Sequence, residues 1–134
     1  KFFLLLGVVP SLSMYPTLDE GTTVLASRNV TTINRDDILI FQSNEKDELY
    51  IKRVIGLPGD VIKIEDGNVY VNGKLKEEPF IKEAMEKAEE KTYAVPKDSY
   101  FFLGDNRNDS YDSRYWKNPY IRKSAIKGKV FYWF

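Results

Sequence analysis

The 134 residues suffice for one domain with a real core and leave no room for two. Lysine plus arginine number 20 and aspartate plus glutamate 20, so the formal net charge is zero and no basic block points to a nucleic-acid partner. Cysteine and histidine are both absent. That excludes a disulfide framework, a thiol nucleophile, Cys- or His-ligated zinc and a Ser-His-Asp triad. Acid–base chemistry near neutral pH must then come from a perturbed lysine or carboxylate.

The chain opens at Lys1 and runs at once into FFLLLGVV, eight residues where a membrane-spanning helix needs about 20. No small-residue cleavage site follows it. The run reads as a first strand over residues 2–9, and the chain as a piece lying beyond a membrane anchor that these residues do not contain. Ser11–Leu18 (SLSMYPTL), bounded by Pro10 and interrupted by Pro16, predicts a rigid non-helical loop with a helical turn near Leu18–Glu20. Thr22–Ser27 and Asp37–Phe41 read as strands.

Leu49–Asp60 (LYIKRVIGLPGD) is a β-prone apolar run closed by a Pro58-Gly59-Asp60 turn. Strand alternation puts Tyr50, Lys52 and Val54 on one face and Ile51, Arg53 and Ile55 on the other. Asp60–Glu65 and Val69–Val71 follow as strands, with Asp66-Gly67 and Asn72-Gly73 as hairpin turns. Lys82–Lys91 is rich in helix formers, has a thin stripe of Ile81, Ala84, Met85 and Ala88, and carries Pro79 near its start. It predicts a short helical insert near residues 80–92, within 76–93. Tyr100–Leu103 and Lys129–Phe134 complete a mostly-β domain.

Three features carry chemistry. Lys52 is a cation with apolar neighbours on its own face; desolvation disfavours its ammonium and makes it a candidate base. The alternative is a lysine that snorkels to water along a sheet edge. Ser13 sits between prolines that restrict the backbone, and a neutral lysine can take a serine proton. Gly104–Arg114 (GDNRNDSYDSR) is dense in hydrogen-bonding groups and suits a polar network that fixes a site. Asp105, Asp109 and Asp112 lack the spacing of a calcium loop, and Arg107 and Arg114 oppose a cation there, so no metal is expected.

Ser13–Leu18 (SMYPTL), Lys52–Asp60 (KRVIGLPGD) and Gly104–Arg114 resemble the catalytic boxes of bacterial type I signal peptidases, in the family's order, with Val71–Lys74 (VNGK) in its hairpin. The resemblance spans nearly the whole chain and fits the compact, Gram-positive-type enzymes, although Leu12 stands where many members carry glycine. It implies coiled antiparallel sheets of the kind shared with the SOS-repressor peptidases, and a serine endopeptidase cleaving exported preproteins after small residues, Ala-x-Ala in type. By that resemblance Ser13 is the nucleophile and Lys52 the general base, with no cofactor. Ser11 and the Ser13 amide form the oxyanion hole. Ser110 orients the lysine, Asp112 and Arg114 form a supporting salt bridge, and Asp105 and Arg53 are its structural neighbours. Val9, Pro10, Met14, Leu18, Tyr50 and Ile51 are expected to form the substrate pocket. The implied partners are signal peptides, those of pilins included if the enzyme serves a narrow client set, and a lipid membrane with the catalytic domain on its extracytoplasmic side. Two rivals are a self-cleaving repressor and a non-cleaving assembly factor for surface proteins. Retention of both Ser13 and Lys52 favours catalysis.

Overall fold

Apolar and β-branched runs separated by turn residues sort the chain into short strands, and the computed structural model pairs all of them antiparallel; it describes residues 4–86 and 89–134. In chain order they are β1 (Leu4–Val8), β2 (Thr23–Ser27), β3 (Ile38–Gln42), β4 (Leu49–Gly56), β5 (Val61–Glu65), β6 (Asn68–Val71), β7 (Lys74–Leu75), β8 (Lys91–Ala94), β9 (Ser99–Leu103), β10 (Tyr120–Arg122) and β11 (Ile126–Trp133). A seven-stranded sheet runs β1-β2-β11-β3-β4-β9-β10, and a four-stranded sheet runs β7-β6-β5-β8. The architecture is mostly β, as the residue pattern predicts. The only helical turns among the described residues are 3-10 turns at Arg107–Asp109 and Lys123–Ala125.

The hairpins form where the sequence marks them. Asp66 and Gly67 (φ 54° and 80°) turn β5 into β6, and Asn72 and Gly73 (φ 51° and 85°) turn β6 into β7. Positive φ at both central residues matches the right-handed twist of the strands, which is why Asp-Gly and Asn-Gly serve there.

The continuous apolar runs of β3 and β9 are explained by burial on both faces. From β3, Ile38 and Ile40 join a cluster with Val9, Met14, Leu18 and Val24, while Leu39 and Phe41 enter a second one with Val54 and Trp116. From β9, Tyr100 and Phe102 enter that second cluster, and Phe101 and Leu103 point into a third, where Ile55 meets Ile62 and Val69 of the smaller sheet. Strand β4 lies between β3 and β9, so Lys52, paired with Leu39, and Arg53, paired with Ile38 and Leu103, are carried into the interior by the strands on either side.

The predicted helix is not present among the described residues of 80–92; Lys87 and Ala88, part of that expectation, lie outside them. Residues 81–86 run as bends and irregular chain, and β8 takes up the segment from Lys91, paired with Ile64. The reason is tertiary. Asn108 accepts the Glu86 N–H at 2.8 Å and donates to the Ala84 carbonyl at 3.0 Å, while Met85 is buried in the inter-sheet cluster. A segment this short gains too little from helix propensity to resist such partners. The strands β7, β8 and β10 went unpredicted because they are short and carry no alternation of their own.

Gly56 ends β4 where the pairing with β9 shifts register, and an added Cβ would lie 2.9 Å from Phe101, 2.9 Å from Val95 and 3.0 Å from Ile62. Gly56→Ala is expected to destabilise the fold by about 1–3 kcal/mol through overpacking, read as a lower denaturant midpoint with an unchanged slope.

Candidate active site

Ser13 lies in the loop after β1, and the loop is held from two sides. The Leu18 N–H donates to the Met14 carbonyl at 2.9 Å, closing one turn. From the other side, the Asn106 N–H donates to the Ser13 carbonyl at 2.9 Å and the Asn106 side chain to the Leu12 carbonyl at 3.1 Å. Leu12 is not among the residues with left-handed backbone, so a side chain is accepted there without strain.

Lys52 reaches Ser13 from β4: its Nζ donates to Ser13 Oγ at 2.7 Å, with Lys52 6% and Ser13 8% exposed. The snorkelling alternative is therefore excluded. Burial draws the Lys52 ammonium down from 10.5 to about 8; the Asp112 carboxylate pulls the other way and the Arg114 cation adds to the decrease. An amine so placed loses its proton within reach of neutral pH and can accept one from the alcohol it touches. Ser11 Oγ lies 3.3 Å from Ser13 Oγ and accepts the Ser13 N–H at 3.4 Å, so the two expected oxyanion donors converge beside the alcohol.

The polar loop 104–114 supports this pair. Asp112 is fully buried, chelated by Arg114 through Nε at 2.8 Å and Nη2 at 2.9 Å, and it accepts the Gly104 N–H at 3.0 Å. Asp105, 1% exposed, is held by Arg53 through Nε at 2.8 Å and Nη2 at 2.7 Å, and by the Thr17 hydroxyl at 2.6 Å. Bidentate geometry of this kind fixes both partners. Ser110 is near the pair but does not orient the lysine: its Oγ is buried with no hydrogen-bond partner among the described residues. It packs against Gly104, where an added Cβ would lie 2.1 Å from Ser110 Oγ and 2.6 Å from the Ser13 carbonyl.

Above the pair opens a cleft of about 610 Å³ lined by Val9, Pro10, Met14, Tyr50 and Ile51 together with Ser11, Ser13 and Lys52. Leu18 is not on its wall; it is fully buried in the cluster with Met14. Tyr111, Glu48 and Asp109, to which the sequence assigns no cleft role, also line the cleft. Arg107, weighed in the sequence only against a cation, and Glu78, not singled out there, join the network. Arg107 donates through Nη1 and Nη2 to Glu78 at 2.8 and 2.6 Å and through Nε to the Gly104 carbonyl at 2.9 Å. Glu78 has no pattern around it that could have marked it. No group of three or more acids that could hold a metal exists among the described residues.

A serine alcohol seated on a buried amine, on antiparallel sheets and without histidine, defines a class: serine peptidases that use lysine where others use histidine. The comparisons narrow it. Residues 1–134 match the family described as signal peptidase, peptidase S26. Signal peptidase I V of Bacillus subtilis is 42% identical over 91% of this chain and 80% of its own length. A probable signal peptidase I-2 of Synechocystis is 37% identical over 92% of this chain, which spans 59% of that relative. The crystal structure of a signal peptidase I from Enterococcus faecalis superposes with a TM-score of 0.65 at 28% identity, covering 75% of this chain and 98% of that one. The chain thus belongs to the signal peptidase family, peptidase S26.

The lowered Lys52 value has a stability consequence. Between pH 8 and 10.5 the unfolded chain binds more protons than the folded one, so stability rises with pH through that window. Below it the buried ammonium is a standing penalty. Lys52→Met is expected to stabilise the fold at pH 7 by an amount on the order of 2–3 kcal/mol, and to leave no gain above pH 11, as measured by urea unfolding at the two pH values.

Proposed function

We propose that this chain is the catalytic domain of a membrane-associated endopeptidase that removes signal peptides from exported preproteins by cleaving after small residues. The observation that carries the reading is the 2.7 Å contact between Lys52 Nζ and Ser13 Oγ at the floor of the cleft. In the proposed reaction the neutral Lys52 amine takes the Ser13 proton while Oγ bonds to the scissile carbonyl carbon. The Ser13 N–H and the Ser11 hydroxyl turn to the oxyanion. The C–N bond then breaks, Lys52 returns the proton to the leaving amine, and an ester acyl-enzyme remains. Lys52 next takes a proton from water, whose oxygen bonds to the acyl carbon; the bond from that carbon to Ser13 Oγ then breaks and Lys52 returns the proton to Oγ.

The substrate preference follows from the walls. Val9 and Met14 are 3% and 1% exposed, so the apolar floor beside Ser13 is already filled and suits a methyl group better than a large side chain.

Membrane association is supported by an apolar face rather than by a span, since no helix among the described residues is long and apolar enough to cross a bilayer. Leu6 and Val8 on β1 are 65% and 63% exposed, and Phe131 and Phe134 at the end of β11 are 56% and 68% exposed. Both strands flank β2. Exposed apolar residues on two strands beside one neighbour suit a contact surface, and the aromatic share suits a lipid headgroup boundary.

Two measurements test the reading. The first is cleavage of a signal-peptide substrate ending in Ala-x-Ala, followed across pH in detergent. The parent is expected to cut after the second alanine, with kcat/KM rising through a midpoint near pH 8 as Lys52 deprotonates. Ser13→Ala and Lys52→Ala should abolish it, and Ser11→Ala should lower kcat by about 100-fold. A parent that binds the peptide without cutting it would return the assembly-factor reading. The second is co-sedimentation with anionic vesicles, which the doubly substituted Leu6→Ser, Phe131→Ser chain should lose while keeping its cleavage of soluble peptide.

A further inference from the structure

Arg107 has the largest fully buried side chain among the described residues, with none of it reaching solvent, and the side chain of its partner Glu78 is 7% exposed. A guanidinium so enclosed needs its carboxylate, because an unpaired buried cation is strongly destabilising. The pair also does more than neutralise charge. Arg107 spends its third donor, Nε, on the Gly104 carbonyl. Asp112 accepts the N–H of the same glycine. Gly104 is thus gripped on both sides, and its α-carbon faces Ser110 Oγ and the Ser13 carbonyl so closely that no Cβ fits. Two residues on, the Asn106 N–H holds the Ser13 carbonyl directly.

Glu78 belongs to a segment that crosses from the small sheet after β7 to reach this loop. In the same segment the Phe80 ring lies 4.0 Å from the guanidinium of Arg53, the residue after Lys52 and the partner of Asp105. One short stretch therefore bears on the chain immediately beside both members of the Ser13–Lys52 pair. A surface ion pair would have no such connection.

We infer that Glu78 is a positioning residue: through Arg107 and the Gly104 peptide it sets the Ser13 backbone against the Lys52 amine. Without it the guanidinium turns away, Gly104 loses one of its two anchors, and Ser13 Oγ moves off Nζ. This deepens the serine–lysine reading and rests on it.

The test compares Glu78→Gln with the parent by peptide cleavage, by thermal unfolding and by NMR titration of the labelled Lys52 amine. Displacement of Ser13 by even a fraction of an ångström lowers kcat by about 10- to 100-fold with KM changed little, because the substrate walls Val9, Met14 and Ile51 are untouched. The Lys52 midpoint rises from about 8 toward its ordinary value as water replaces the Ser13 contact. Glu78→Asp keeps the charge and recovers part of both changes; it also carries the comparison if Glu78→Gln does not fold. A variant with a lower melting temperature but the parent's kcat and Lys52 midpoint, measured well below that temperature, overturns the inference and leaves an ion pair that only stabilises. Ser13→Ala in the same assay tests the enzyme reading separately, and the Lys52 titration decides the positioning role even for a parent that does not cleave.

Discussion

The structure turns on a single desolvated amine. Lys52 sits in a strand with a partner on each side, so withdrawing it from water follows from forming the sheet rather than from closing a lid. The energetic penalty is carried by the hydrophobic clusters on both faces of β3 and β9, which supply far more stabilisation than one buried ammonium removes. Histidine reaches a working pKa at its ordinary value; lysine has to be driven there. A mid-strand position supplies that drive, where a mobile loop would have let water back in.

Around the amine the polar loop works as a set of bidentate clamps. Arg53 on Asp105, Arg114 on Asp112 and Arg107 on Glu78 each bind a carboxylate through two nitrogens. None of these carboxylates lines the cleft. They hold backbone, and through Gly104 and Asn106 that backbone holds Ser13. Charge near the site is therefore self-cancelling: Asp112 and Arg114 act on Lys52 in opposite directions and leave burial as the dominant cause of its lowered value.

Much of this was legible in the residues. The run around Lys52 reads as a strand because it is rich in β-branched and aromatic residues and closed by a Pro-Gly-Asp turn, and the two hairpins read from Asp-Gly and Asn-Gly. Ser13 and Lys52 could be named together because the absence of histidine and cysteine calls for a perturbed base, Lys52 has apolar neighbours on its face, and the boxes around both resemble those of the signal peptidases. What stayed hidden depends on tertiary partners. The 80–92 segment has helix-forming residues, yet Asn108, more than twenty positions away, takes its backbone groups. Glu78 looks like any exposed acid until the fold encloses it with Arg107. Leu18 and Met14 share one buried cluster, but only Met14, next to Ser13, also reaches the cleft wall, a difference the residue types do not announce.

Strand β9 ends at Leu103 and the next residue is Gly104, so the polar loop leaves directly from a strand buried along its whole length. No hinge separates the two. Alternate side chains of that strand anchor it in the cluster between the sheets and in the one behind β4. Heat therefore has no soft joint at which to detach the site from the scaffold. Separation of Lys52 from Ser13 on warming should coincide with loss of the whole fold, the small sheet included.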